Sequence, residues 1–216
     1  MGFIENKKSL AIFLVAISSL ALFVANICVS KVFNVYFLTI TLAMFCYPIV
    51  YIIDDVMAEF FSFKDGLKLE LITYGIVCFI SIFFYLGTFL PSTNVQMDSA
   101  FNVMFSITPA IFLASFIAFV CGIAGNLTIF KWIKQKNNSL FVRALSSTIV
   151  GEFLDSFLFY ALAFFIFTNI YDIWTVLSLA ISGVIVKTLV EVVLYPLTKK
   201  LINYLHKSFN EDLAVL

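Results

Sequence analysis

The sequence predicts an all-α polytopic membrane protein, a bundle of six transmembrane helices with both termini in the cytoplasm. Three observations predict it. Hydrophobic residues make up 62% of the 216 residues and charged residues 12%, against roughly 45–50% and about 25% in an average soluble domain. Uncharged runs recur that are long enough to cross a hydrocarbon core of about 30 Å at about 1.5 Å per residue. Basic residues collect on one side once those runs are threaded through a bilayer. The mean hydropathy of +1.08 agrees. This composition excludes a soluble enzyme and a disordered chain. Equal counts of 13 basic and 13 acidic residues exclude a nucleic-acid binder that works through a basic field.

The first span is expected at 9–30, between Lys8 and Lys31, and the second at 32–53, ending at Asp54. The motif Cys28-Val-Ser30 imitates a signal-cleavage site. The run before it is long enough to span, however, and another follows at once, so it reads as a helix. The third span is expected at 71–91 and the fourth at 108–130, within uncharged stretches flanking Asp98. The fifth, 144–169, holds Glu152 and Asp155, and the sixth, 173–197, holds Lys187 and Glu191. The whole chain, 1–216, reads as a single transmembrane domain. The tail from Asn203 onward is too short to fold alone. With a cytoplasmic N terminus, Lys31 alone of the basic residues faces outside and Lys187 alone lies in the membrane.

Other chemistry is thin. Cys28, Cys46, Cys78 and Cys121 stand far apart in apolar stretches, and His206 is the only histidine. Neither a zinc site nor a Ser/His/Asp triad fits, and no cofactor is expected. The chain has no Walker or GxGxxG sequence, so uphill transport would draw on a gradient or a separate ATPase subunit.

Ionisable groups inside the spans carry the functional signal, because each costs several kcal/mol at mid-bilayer unless it faces a polar cavity. Counted from the cytoplasmic ends, Asp155 lies about 17 Å deep, Lys187 about 15 Å, Glu152 about 12 Å and Glu191 about 9 Å. Glu152 and Asp155 are spaced i, i+3, and Lys187 and Glu191 i, i+4, so each pair shares a helix face. Three acids meet one base. The two spare carboxylates await protons or a ligand rich in donors. A tether between helices is the alternative. Asp54, Asp55 and Glu59 form a second cluster, read either as a solvated helix end or as part of the site; Pro48 upstream suggests a kink. Asn26 and Asn126 suit either a planar heterocycle or interhelix bonding. Ala118, Gly122 and Gly125 suit close helix packing.

Four stretches resemble the queuosine precursor transporter family of the vitamin uptake transporter class. They run Ala25-Asn-Ile-Cys-Val-Ser-Lys31, Tyr47-Pro-Ile-Val-Tyr-Ile-Ile-Asp-Asp-Val-Met-Ala-Glu59, 142–159 with Arg143, Ser147 and Asp155, and Lys187-Thr-Leu-Val-Glu-Val-Val-Leu-Tyr-Pro-Leu197. The resemblance implies a single-subunit, six-helix carrier in the bacterial inner (cytoplasmic) membrane. Its cargo would be 7-cyano-7-deazaguanine, its aminomethyl form, or queuine. It would be no enzyme, would bind no nucleic acid, and would be compatible with a homo-oligomer. Matching positions are Asn26, Asp55, Glu59, Arg143, Ser147, Asp155, Lys187 and Glu191. Departures fall at Glu152, at Ile123 with Asn126, and at Phe61-Ser62, so the particular base stays open. The chemistry converges with the resemblance at one point: a guanine-like edge presents N–H and NH₂ side by side, which a carboxylate accepts in bidentate fashion. Asn26, Asp55, Glu59, Asn126, Glu152, Asp155, Lys187 and Glu191 are therefore the candidate substrate-binding residues. The alternatives are a substrate-capture subunit of an energy-coupling-factor transporter, a membrane enzyme, and an assembly protein.

Overall fold

The computed structural model describes residues 7–134 and 140–213. The side chains of 126, 127, 129–131, 133, 134, 140–149, 191 and 208–213 are outside that description. The protein is mainly helical. Helix α1 (Lys7–Cys28) leads into strands β1 (Val32–Val35) and β2 (Leu38–Thr41) and a 3₁₀ turn (Leu42–Phe45). Helices α2 (Tyr47–Phe60), α3 (Phe63–Gly87), α4 (Val95–Phe105), α5 (Thr108–Lys134), α6 (Leu140–Tyr160) and α7 (Ile173–Leu213) follow. Five stretches are long and apolar enough to cross a membrane: Lys7–Cys28, Phe63–Gly87, Val95–Gly125, Val150–Phe167 and Ile173–Val190. Their outer faces carry large exposed side chains such as Leu20, Phe79, Phe83, Ile185 and Leu189, as expected of surfaces that meet lipid tails.

The second expected helix, 32–53, is a different object. Its first ten residues are Val-Phe-Asn-Val-Tyr-Phe-Leu-Thr-Ile-Thr, β-branched and aromatic almost throughout, a composition that favours a pleated strand. They fold as an antiparallel hairpin with Val32 opposite Thr41 and Val35 opposite Leu38. Tyr36 turns the chain at φ 54°, and Tyr36 and Phe37 stand exposed at the tip. Backbone that is neither helical nor in a closed barrel must find its partners inside the protein. Here the Thr39 amide donates to Ser182 Oγ at 3.1 Å, and Ser178 Oγ donates to Thr39 Oγ1 at 2.9 Å. The helix begins only at Tyr47, with Pro48 in its first turn. Proline is welcome there because that N–H has no helical partner. Pro48 therefore starts α2 and kinks nothing.

At 14 residues, α2 reaches only about 21 Å and cannot span alone. Hairpin, turn and helix together run beside α7. Thr39 meets Ser178 and Ser182, Tyr47 meets Lys187, and Glu59 meets His206. From 178 to 206 is about 42 Å of helix. The segment thus matches a span in reach without being one helix.

Other boundaries shift for simpler reasons. Helix α3 starts at Phe63, ahead of the expected 71, because Ser62 caps it by accepting from the Asp65 amide at 3.3 Å. Charged residues can ride the helix beyond the uncharged stretch that defines a span. Helix α6 closes in wider i→i+5 turns over Ala161–Phe167, and Asn169, at φ 49°, ends it. Asp172 caps α7 through the Trp174 amide at 3.1 Å and the Thr175 hydroxyl. Those bonds, Thr175 first, hold its carboxyl below the usual carboxylate range. Helix α7 runs past 197 through Pro196 to Leu213, so the expected tail continues the last helix. Its Leu205 packs with Leu10 and Leu14 of α1 and Ile53, Val56, Met57 and Phe60 of α2.

Helices α5 and α6 lie in the closest contact, and Gly122 makes it possible. A Cβ there would stand 3.1 Å from Asp155 Cβ and 3.3 Å from the Gly151 carbonyl oxygen. We predict that Gly122→Leu forces the two helices apart and lowers the Tm of the detergent-solubilised protein by several degrees. Gly66→Ala, within α3 and with nothing within 4 Å of the added methyl, should hold the Tm or raise it, because alanine favours a helix over glycine by about 0.5–1 kcal/mol.

Candidate functional site: a charged chamber between the helices

Helix α6 supplies Glu152 and Asp155 one turn apart, and α7 supplies Lys187. The Lys187 ammonium donates to Asp155 Oδ2 at 2.7 Å and stands 3.4 Å from Glu152 Oε2. Lys187 is only 6% exposed, whereas the Glu152 and Asp155 side chains keep 24% and 31% of their surface open. The cation is thus sealed and its two acids face open space. A third neighbour is the Tyr47 ring, whose centroid lies 4.9 Å from Nζ, within cation–π range. The matching depths of Asp155 and Lys187 in the sequence correspond to a direct ion pair. The sequence set Glu152 level with Glu191, but in the structure Glu152 joins the same cation. The Glu191 and Asn126 side chains lie outside the described residues, as do those of Arg143 and Ser147.

The open faces of these acids border a chamber of about 340 Å³, within the usual size range for small-molecule sites. Asn26 of α1, Tyr47, Tyr51 and Asp54 of α2, Tyr74 of α3, and Ser115, Phe119 and Gly122 of α5 complete much of the wall. The wall therefore mixes flat rings with hydrogen-bonding groups. Two charges of one sign flank one of the other, so the triad carries a net negative charge toward the chamber. A polar, planar solute with N–H donors meets complementary chemistry there.

A second cavity of about 330 Å³ lies between α2 and α3, lined by Met57, Ala58, Phe61, Ser62 and Glu70 among others. The two cavities share Asp54, Phe119 and Ile123. Asp54 lines both cavities and Glu70 lines the second, so two acids gather at that junction.

Other sequence candidates go elsewhere. Asp55 and Glu59 are exposed and line neither cavity. Glu59 Oε1 is 2.8 Å from His206 Nε2, and the His206 ring lies 4.7 Å from that of Phe60. Successive helical residues are turned by about 100°, so Asp54 and Asp55 cannot both face the chamber; Asp54 does. Sequence reasoning placed Asp54 in a cluster with Asp55 and Glu59 and gave Tyr47 and Tyr51 no role, although Tyr47, Tyr51 and Asp54 at i, i+4 and i+7 spell one helix face that lines the chamber. Glu70 escaped because the uncharged run that marks the span starts just after it, at Leu71.

A bundle of apolar helices around a charged, ring-lined chamber is the build of a membrane carrier for small polar solutes. The chain belongs to the vitamin uptake transporter family: the family model described as "Putative vitamin uptake transporter" matches residues 41–201. That stretch includes α2, Glu152, Asp155 and Lys187, and begins after Asn26. Over 179 residues the chain is 26% identical to the "Probable queuosine precursor transporter" of Bacillus subtilis (strain 168), covering 80% of this chain and 76% of that protein. No solved structure matches the chain. The protein is therefore a multi-pass membrane transporter, which is not an enzyme class.

Removing one partner of a buried ion pair leaves an uncompensated charge and costs about 3–5 kcal/mol, whereas replacing the whole group is often neutral. We predict that Lys187→Met lowers the unfolding temperature of purified protein markedly. The triple variant Lys187→Met, Glu152→Gln, Asp155→Asn should recover most of the loss. Equal unfolding temperatures for single and triple variants would count against the triad as a coupled unit.

Proposed function

We propose that this protein imports a queuosine precursor, a 7-deazaguanine-type base, across the bacterial cytoplasmic membrane. The observation that carries the reading is the chamber at the Lys187 triad, where two acids are tied to one cation and still face open space. Glu152 and Asp155 accept the N–H and NH₂ of the guanine-like edge, and Lys187 holds both acids in register. Tyr47, Tyr74 and Phe119 offer ring faces for a flat solute. An aminomethyl substituent adds a positive charge, which suits the net negative triad. The name of the Bacillus relative supports the same cargo class.

Residues 1–216 act as one transmembrane unit in this proposal, with both termini in the cytoplasm, because basic residues gather at the inner ends. The second cavity then lies on the cytoplasmic side, near Lys64 and Lys68 of α3. Cargo passes from the triad by the Asp54, Phe119 and Ile123 neck toward that mouth.

The test is uptake of labelled 7-deazaguanine precursors into queuosine-deficient cells and into proteoliposomes holding this chain alone. Wild type should accumulate label in both. Asp155→Asn should cut the initial rate at least about tenfold at equal expression, the loss expected when a charge-assisted hydrogen bond becomes a neutral one. Transport in cells but not in liposomes would instead point to an ATPase-coupled capture subunit. Unchanged uptake by Asp155→Asn would remove the triad from cargo binding.

A further inference from the structure

The chamber is closed on one side. Toward α3 it adjoins the second cavity through Asp54, Phe119 and Ile123. In the other direction its walls run into packed side chains. Val29 comes one turn after Asn26 at the end of α1, Phe164 follows Phe159 on α6, and Leu179 precedes Lys187 on the antiparallel α7. All three are buried in one apolar cluster with Ala43. Ala43 belongs to the 3₁₀ turn that follows the hairpin, so the seal is part helix and part the irregular segment 32–45. That segment is lightly attached to α7. Two neutral hydrogen bonds join them, from the Thr39 amide to Ser182 Oγ at 3.1 Å and from Ser178 Oγ to Thr39 Oγ1 at 2.9 Å, and such bonds are individually weak in net terms. The α7 face beneath is made of Ser178, Ser182 and Gly183, and small side chains leave little to interlock.

The seam under the segment holds polar atoms that a permanent seal would not need. Thr41 Oγ1 of β2 and Ser156 Oγ and Tyr160 Oη of α6 are buried there without a well-formed hydrogen bond, and orphaned buried groups are uncommon. Ser156 and Tyr160 meet Met44 of the 3₁₀ turn at Gly183: a Cβ there would stand 3.8 Å from Ser156 Oγ, 3.3 Å from Tyr160 Cε2 and 3.4 Å from Met44 Cε. We propose that residues 32–45 are the outer gate of the carrier, shut in this structure, and that cargo enters when hairpin and turn lift off α7 as one piece. This rests on the import reading above, which sets the direction, and adds the way in. Lifting the segment lets water reach Thr41, Ser156 and Tyr160. Hydroxyls left unpaired in the shut state are then satisfied in the open one. That narrows the free-energy gap between the two states, and a carrier needs both populated. The segment also ends at the binding triad. Tyr47 follows it within two residues, and its ring centroid lies 4.9 Å from Lys187 Nζ. Cargo at Glu152 and Asp155 is thus within reach of the element that must close over it.

The experiment has two arms, both in a full-length chain whose four cysteines are replaced by alanine. In the first, Thr41→Cys is exposed to a membrane-impermeant maleimide on intact cells. Thr41 is 0% exposed, so the reagent reaches it only when the gate opens. Labelling should be slow, and adding Ser178→Ala with Ser182→Ala should speed it about tenfold, because two neutral hydrogen bonds are lost. In the second arm, Thr39→Cys and Ser178→Cys join the gate to α7. Their native side-chain oxygens lie 2.9 Å apart, which puts the pair within disulfide reach. The oxidised protein should lose at least about tenfold of its uptake of labelled 7-cyano-7-deazaguanine and regain it on reduction, so the reduced form serves as the folding control. Thr41→Cys that labels only after denaturation, labelling that the serine changes do not speed, or uptake untouched by a complete crosslink would each overturn the gate. Wild type that takes up no deazaguanine would overturn the import reading, and the labelling arm would still decide the gate.

Discussion

Lys187 is an ammonium group held at 6% exposure in the middle of an apolar helix, and among the described residues it is the one buried charged side chain. A charge in that position needs opposite charge at hydrogen-bond distance, or it destabilises the fold by several kcal/mol. Asp155 and Glu152 supply it from the neighbouring helix. The arrangement ties α6 to α7 at one depth. It also sets where α2 can begin, because the Tyr47 ring at the first turn of α2 lies against the same ammonium. Gly122 belongs to this constraint as well: its lack of a side chain lets α5 close on α6 beside Asp155 and the Gly151 carbonyl.

The room for a solute follows from what α2 is not. A full transmembrane helix from 32 would fill the space beside α7 evenly along its length. The hairpin occupies the first part instead, bonded to Ser178 and Ser182, and the helix starts late at Tyr47. Its first two turns then present Tyr47, Tyr51 and Asp54 to the chamber. Discontinuous elements at mid-membrane are a recurrent way to place polar groups at a carrier's centre, since irregular backbone is tolerated where protein surrounds it. Asp54, Phe119 and Ile123 line both cavities: one acid and two apolar side chains.

Much of this was legible beforehand, residue by residue. Uncharged runs marked α1, α3 and α5, and apolar regions broken by a few charges marked α6 and α7, because lipid imposes length and apolarity on any helix that crosses it. Helical rise alone put Asp155 and Lys187 at one depth, and they meet at 2.7 Å. The hairpin was missed because a count of charges ignores β-branching, although 32–41 is almost wholly β-favouring. Asp55 was preferred to Asp54 because a motif carries no rotation angle; only packing against α1 and α3 decides which neighbour turns inward. Glu59 shares the Asp55 face, away from the chamber, and α7 continues far enough to bring His206 against it.

Amino-acid composition by itself determined the solvent. With 62% hydrophobic residues and balanced, sparse charge, the chain had to place its helices in lipid, and its few intramembrane charges had to seek one another there. Tertiary structure alone decided which side chains share a wall. Asn26, Asp54 and Glu152 come from α1, α2 and α6, and no spacing along the chain relates them. Helix packing does so, through the rotation of each helix about its own axis, and that rotation is set by contacts far apart in the sequence.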